Sequence, residues 1–469
     1  MRLRRLTARP EAWLVSVAAA LIYVLVAITQ WRSLAAPSWD LAIFTQLAKA
    51  YSSAGAPIVP IKGPGFNLLG DHFHPILVLL GPVYAVFPSG LTLLVVQALL
   101  IALSAGPLTA LAVRRLGRWP GVALGVVYVL SHGVQGAARS QFHEIAFALP
   151  LLSFGLVALL ERRWRAGVWW LAPLVFVKED LGLMVVVLGL VMGWRGARRL
   201  GLALAAWGAV WFVLATAVIL PALNPRDQYD YTDNLVLGDV LGDPLAALAE
   251  VLTPGEKVVT ALLLVALAGV VGLRSPLLLA AVPTLAWRFL GDVPFYWTWM
   301  WHYDAVLMPL AIAALLDGLG HRPAAAEDVA APTTPVRPPR RGLPAVAVAA
   351  LTVVLTAPGL PVAGLLQAET WQPSPRAAAA QEVLDTIPDG AVVASDIALL
   401  AYLVPTTTAL WSGTADNPPA DYYLIDRDGP TWGGDPPSDA ASYAESKHPG
   451  VRYQIVADQG GYQLARRAD

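Results

Sequence analysis

The chain has 469 residues, of which 57% are hydrophobic and only 14% charged, whereas soluble chains run near 25% charged. A net charge of −1 gives no global field for nucleic acid, and the absence of cysteine excludes disulfides and thiolate metal sites. Several apolar runs reach the roughly 17–25 residues that cross a bilayer as a helix, so the fold class is an α-helical polytopic membrane protein.

In chain order, "MRLRRLTARP" precedes an apolar run from Glu11 to Thr29. That run is too long for a signal-peptide core, and no small-residue cleavage pattern follows it, so it reads as a retained first span. Apolar runs occupy 12–31, 90–113, 119–132, 143–160, 166–178, 180–194, 199–221, 257–273, 276–290, 303–319 and 343–362. A further stretch, 75–88, is short and contains Pro82 and Pro88. If it lies in the interface, the basic clusters "RRLGR", "ERRWR", "RGARR" and 321–341 share a side with the N-terminal "RLRR". That side then collects 18 of the 32 Lys and Arg, against 8 in the opposite loops. The positive-inside rule favours this arrangement. It predicts about eleven spans in the plasma membrane, with the N-terminus cytoplasmic and the C-terminus extracytoplasmic. The runs 166–178 and 180–194 are short and read as tilted spans or a broken hairpin. Loop 222–256 is acidic and aromatic, which suits either a flap over an outer cavity or a solvated loop. Residues 320–342 are rich in Pro and Ala and read as a disordered cytoplasmic loop.

After about Thr370 the composition changes. "SPRAAAAQEVLDTI" predicts a helix opened by Ser374 with Pro375 in its first turn. "AVVAS", "TTALW", "DYYLIDR", "RYQIVA" and "GYQLAR" predict short strands bounded by Pro, Gly and Asp. The chain thus divides into a transmembrane part, 1–366, and a small extracytoplasmic α/β domain, 367–469. The latter carries no glycine-rich phosphate loop and no nucleophile elbow, so no catalytic role is assigned to it.

The charge-derived topology places every unusual polar motif on the outer side: "SWD" (38–40), "GDHFHP" (70–75), "ARSQFHE" (138–144), "KED" (178–180) and "WHYD" (301–304). Five of the seven histidines fall there too. A charge at mid-membrane costs about 2.5–3.5 kcal/mol on insertion scales, so groups at outer helix ends that face a shared cavity avoid most of that cost. Each motif also has a plain reading. Asp40 suits a helix cap as well as a catalytic acid. His72 and His74 suit ordinary interfacial hydrogen bonds, or a divalent metal with carboxylate co-ligands if the segment is extended. Glu144 is favoured by the dipole of the helix it opens, and His143 stands beside it. Lys178, Glu179 and Asp180 can pair among themselves, although intramembrane ionisable groups default to a functional reading. Lys178 and Arg139 are the candidates for a phosphate. His302 and Asp304 follow "FYWTWMW", which suits an interfacial aromatic belt or stacking on a sugar ring.

On these motifs the chain resembles a bacterial family of polytopic membrane proteins of unknown function, and more loosely the GT-C superfamily of glycosyltransferases. The resemblance covers nearly the whole chain. The GT-C likeness implies an acidic general base just after the first span, and Asp40 stands at that position. It also implies juxtamembrane helices in the first outer loop, matched by 41–52 and 75–88, and a polyprenyl-phosphate-linked sugar donor. GT-C enzymes often carry an acidic pair there; here Trp39 and Leu41 flank Asp40, and Asp71 is the candidate second acid. "FHE" and "KED" belong to the uncharacterised family and bring no known chemistry with them.

The expected function is a transferase with catalytic Asp40, Asp71 and Glu144. Arg139, His143, Lys178, Glu179, Asp180, His302 and Asp304 would bind substrate, and His72 and His74 would hold a divalent metal ion if one is used. Expected partners are a lipid-linked sugar donor, membrane lipid and an extracytoplasmic glycan or protein acceptor, with no nucleic acid. Competing expectations are a transporter or flippase of a lipid-linked or ionic substrate, and a non-catalytic scaffold that presents the C-terminal domain.

Overall fold

The computed structural model describes residues 9–34, 39–232, 249–320, 340–429 and 432–468. Ser38, the N-terminal "RLRR", residues 321–339 of the expected disordered loop and 233–248 of the expected flap lie outside the described residues.

Each predicted apolar run is helical. α1 (Pro10–Arg32) starts with a proline, whose fixed φ suits a first helical position. α2 (Trp39–Ser52) and α3 (Leu80–Val86) follow in the first loop. α4 (Gly90–Leu116) is opened by Ser89, whose hydroxyl accepts from the Leu91 N–H at 3.2 Å. Then come α5 (Arg118–Val129), α6 (His132–Arg139), α7 (Ala148–Leu160), α8 (Trp164–Leu171), α9 (Leu181–Trp194) and α10 (Arg198–Leu214). α11 (Gly255–Leu267), α12 (Val282–Phe289), α13 (Leu307–Gly318) and α14 (Gly342–Thr356) complete the bundle. α9 and α10 approach closely because small residues face each other. A Cβ at Gly189 would lie 2.6 Å from the Ala205 nitrogen, and one at Gly201 would lie 2.4 Å from the Gly193 nitrogen.

Helix length does not carry the expected count of eleven crossings. Among the described residues, four helices are long and apolar enough to cross a membrane: Pro10–Arg32, Gly90–Leu116, Arg118–Arg139 and Arg198–Leu223. A fifth candidate is the pair Pro294–Asp304 and Leu307–Gly318, bent by 69°. The other runs are shorter apolar helices or are interrupted. Pro173 and Pro276 each sit at the start of a 3-10 segment. Positive φ at Gly269 and Val270 separates α11 from the turn at Val271–Arg274.

The ends of these helices sort into two polar layers. In one, Arg114 and Arg163 both pair with Glu161, and Arg195 pairs with Asp317. Arg115 donates to the carbonyls of Leu316 and Leu160, and Ser275 to Asp317 at 2.5 Å. The ends of α4, α7, α9 and α13 therefore lie together, as the charge pattern of the loops requires. The opposite ends carry the motifs that the sequence singled out.

The C-terminal region forms a five-stranded sheet in the order β2-β1-β3-β5-β4. Its strands are β1 (Val392–Ser395), β2 (Thr408–Trp411), β3 (Tyr422–Asp426), β4 (Tyr453–Gln459) and β5 (Tyr462–Arg467). β1 is parallel to β2 and β3, and β5 is antiparallel to β3 and β4. α15 (Pro375–Leu384) is capped by the Ser374 hydroxyl on the Ala377 N–H, and α16 (Ala440–Lys447) by Asp439 on the Ser442 N–H.

An edge strand exposes unpaired backbone groups and is normally covered. Here α2 helps to cover β2. Gln46 donates to the Ala409 carbonyl at 3.0 Å and accepts from the Ile61 N–H at 2.9 Å. Lys49 donates to the carbonyls of Val404 and Thr407 at 2.7 and 2.9 Å. One apolar cluster runs from Leu41, Leu47 and Leu80 into Leu400, Ala409 and Leu464. The sheet is thus fused to the first loop.

Gln46→Leu leaves the Ile61 N–H and the Ala409 carbonyl without their partner, at roughly 1–3 kcal/mol each. The expected result is a lower thermal midpoint and faster proteolysis within 357–374; wild-type digestion would show that other contacts hold the sheet.

Candidate functional site

Each of these polar motifs sits where a helix starts, stops or breaks. Irregular backbone at membrane depth is tolerated only where protein buries it or where it lines a cavity. "GDHFHP" follows a 3-10 turn, Leu68–Gly70, capped by the Asn67 side chain on the Leu69 N–H. Gly70 is required by close approach, since a Cβ there would lie 2.4 Å from the Leu223 carbonyl carbon. "FHE" follows α6, where Gln141 takes φ 66°. The Gln97 side chain holds this break: it donates to the carbonyls of Ala137 and Gln141 and accepts from the His143 N–H. "KED" separates the Ala172–Phe176 turn from α9. "WHYD" precedes α13.

These breaks surround one cavity of about 440 Å³. It is lined by Asp40, Asp71, His72, His74, His143, Glu144, Lys178, Glu179, Asp180 and His302. Ten of the twelve residues expected at the site therefore meet at one place.

The carboxylates are tied to the cavity wall. Asp40 lies in the first turn of α2 with its side chain 46% exposed, and its Oδ2 is 3.3 Å from His143 Nε2. Loss of surrounding water would raise the Asp40 pKa; the adjacent His143 imidazole outweighs that and brings the carboxyl below its ordinary value. His143 stacks on His302 with ring centres 3.6 Å apart. Glu144 pairs with Lys178 at 3.0 Å. Asp71 pairs with Lys62 at 2.7 Å, and Tyr231 donates to its other oxygen at 3.4 Å. Asp180 accepts from Trp287 Nε1 at 3.0 Å.

Glu179 binds three groups. Its Oε1 lies 2.7 Å from His72 Nδ1 and accepts from the Tyr229 hydroxyl at 3.1 Å. Its Oε2 accepts from the Phe73 N–H at 3.0 Å. Tyr231 stacks on His72 with centres 4.3 Å apart. Tyr229 and Tyr231 belong to the acidic, aromatic loop, so its described part does reach over the cavity.

The two histidines of "GDHFHP" are pushed in opposite directions by their surroundings. Burial and the Lys178 ammonium disfavour protonated His72, but the Glu179 carboxylate and its hydrogen bond outweigh both and raise the pKa. Burial lowers His74 to about 4. Among the described residues the His74 Nδ1 has no hydrogen-bond partner, and its ring packs edge-on to Phe44.

Several expectations are corrected. Arg139 does not line the cavity. It ends α6 as an exposed side chain in a different groove, because the turn at Gln141 separates it from His143. Asp304 is buried behind the wall, paired with Arg288 and 3.1 Å from His132 Nε2. Of the pair suggested as metal ligands, His72 is engaged by Glu179 at 2.7 Å and His74 packs against Phe44. Among the described residues, no three His, Asp or Glu side chains are grouped to hold a metal ion.

Sequence reading missed Lys62 and Trp287 on the wall and Arg288 behind it; Tyr296 and Tyr303, also on the wall, fall within the "FYWTWMW" and "WHYD" stretches it singled out. Arg288 had a signal: it is a lone charge inside the apolar run 276–290, and such a charge needs a buried partner.

His74 makes a pH prediction. Its folded pKa is depressed, so the stabilisation is complete above the unfolded value near 6.5 and is lost as pH falls toward 4. The expected loss is on the order of 3 kcal/mol across that window. His74→Phe should flatten the thermal midpoint between pH 6.5 and 4 relative to wild type, and parallel curves would refute this assignment.

No curated protein matches the chain. The family profile described as "Predicted membrane protein (DUF2079)" matches residues 30–464. Apolar helices of spanning length, interrupted around one polar cavity and followed by a small sheet, are how this chain builds a member of that family, to which it belongs.

Proposed function

We propose that the cavity is the active site of a membrane glycosyltransferase that moves a sugar from a polyprenyl-phosphate-linked donor to an extracytoplasmic glycan or protein acceptor. The observation that carries this reading is Asp40. It is a half-exposed carboxylate on the wall of a cavity that also holds Lys178 and the rings of Trp39, Tyr229, Tyr231, Trp287 and Tyr303. Aromatic faces and carboxylates together suit a sugar, whose C–H faces stack and whose hydroxyls donate.

In the proposed step, an acceptor hydroxyl oxygen bonds to the anomeric carbon and its proton passes to Asp40. The bond between that carbon and the donor phosphate oxygen breaks, and polyprenyl phosphate leaves with the electron pair. The configuration inverts. Lys178, aimed by Glu144 at 3.0 Å, meets the leaving phosphate, and Asp71 and His302 orient the sugar. The orientation follows from the charge count: N-terminus cytoplasmic, sheet domain extracytoplasmic, about eleven helical crossings including tilted and broken ones, in the plasma membrane.

One observation favours a second reading. Five carboxylates and two lysines line the cavity among the described residues. That excess of negative charge suits a cationic substrate, as in a transporter.

General-base removal typically costs 10²–10⁴-fold. Purified protein in lipid, given radiolabelled polyprenyl-phosphate sugars and envelope acceptors, should turn over. Asp40→Asn should lose at least about 10²-fold. No wild-type turnover with any donor, together with cation uptake into sealed vesicles, would replace this reading with the second.

A further inference from the structure

Four of the five carboxylates on the cavity wall have a basic partner. Lys62 pairs with Asp71, Lys178 with Glu144 and His72 with Glu179, and His143 lies 3.3 Å from Asp40. Asp180 is the exception: among the described residues it makes no ion pair. Its Oδ2 accepts from the Trp287 indole N–H at 3.0 Å, while its buried Oδ1 has no hydrogen-bond partner among the described residues. A buried carboxylate oxygen without a donor is costly, and buried polar groups are as a rule hydrogen-bonded. This oxygen is set for a donor that a ligand brings.

The wall beside Asp180 is aromatic. Trp287 comes from α12, Tyr296 from the short helix Pro294–Trp297 and Tyr303 from the turn before α13, and all three line the cavity with Asp180. Ring centres lie 5.1 Å apart for Trp287 and Tyr296, 5.9 Å for Trp287 and Tyr303, and 5.1 Å for Tyr296 and Tyr303. An aromatic face attracts a cation within about 6 Å of its centre, so rings this close put several within reach of one entering group. The corner is held from behind. Arg288 donates to the carbonyls of Tyr296 and Thr298 and pairs with Asp304, and Trp297 Nε1 donates to the Gly291 carbonyl at 2.8 Å. Arg288 lies 5.7 Å from the Tyr303 ring centre but is spent on these partners.

We propose that Asp180 and these three rings form a subsite for a primary ammonium group, and that the sugar of the lipid-linked donor carries that group. An ammonium supplies both N–H donors for Asp180 Oδ1 and positive charge for the ring faces. A neutral hydroxyl would serve the oxygen alone, and a quaternary ammonium the rings alone. The excess of wall carboxylates over lysines favours the charge. That a sugar bears the ammonium rests on the transferase reading; the subsite itself does not.

The test is equilibrium binding to the full-length protein in lipid nanodiscs, with radiolabelled glucosamine, N-acetylglucosamine and methylamine as probes. Wild type should bind glucosamine at least about tenfold more tightly than N-acetylglucosamine, the equivalent of one charge-assisted contact. Asp180→Asn keeps an acceptor for Trp287 and should lose that preference. Tyr296→Leu should weaken glucosamine several-fold, whereas Tyr296→Phe keeps the ring face and should bind as wild type does. This pair carries the test if Asp180→Asn disturbs folding, judged by elution and thermal midpoint. Equal affinity of wild type for the two sugars, or a preference unchanged in Asp180→Asn and Tyr296→Leu, overturns the subsite. Methylamine bound as tightly as glucosamine and taken up into sealed vesicles supports the subsite and overturns the sugar as its bearer. Binding is read without turnover, so an inactive wild type that still prefers glucosamine supports the subsite and removes the transferase reading alone.

Discussion

The cavity depends on Glu179. A carboxylate with a 1% exposed side chain persists only if its lone pairs are met, and Glu179 meets them with three groups from two other segments: the His72 ring and Phe73 backbone of the first loop, and the Tyr229 hydroxyl. The first loop, the break before α9 and the loop after α10 are therefore closed onto one oxygen pair. The other wall charges repeat the pattern on a smaller scale, each set at a helix interruption and each taken by a group from another segment. The interruptions and the charges require each other. A broken helix frees backbone groups that need polar company, and a charged side chain needs a place that is not hydrocarbon.

That economy explains which residues face the cavity and which only build it. Asp304 and Arg288 are as buried as any groups in the molecule, and their partners are each other, His132 and the carbonyls of Tyr296 and Thr298. They fix the segment before α13 and thereby the ring of His302 on His143. Removing one partner of such a pair strands the other charge, so damage there and damage at Asp40 have different physical causes.

Much of this was legible in the sequence. Apolar runs gave the positions of the helices, since hydrophobic length and loop charge are local properties. Alternating β-branched and aromatic runs between Pro, Gly and Asp gave all five strands. Motifs too polar for their surroundings gave most of the cavity wall. The failures have a common source, which is chain direction. Arg139 stands four residues before His143, but the positive φ at Gln141 turns the chain between them. The spacing of His72 and His74 could not show that His72 is taken by Glu179, more than a hundred residues away in the chain. Lys62 and Trp287 are ordinary residues in their own neighbourhoods and matter only through partners far away in sequence. Helix length was also overestimated, because prolines and positive φ values cut apolar runs that composition alone joins.

α2 has two faces with different duties. Asp40 opens it on the cavity, and Gln46, about 9 Å further along the axis, grips the edge of the C-terminal sheet at Ala409. A helix of 14 residues is stiff over that distance. The sheet and the cavity thus share a single lever, with the carboxylate at one end and the domain's rim at the other. The rim of the sheet and the carboxylate of the cavity therefore keep a fixed spacing set by one short helix.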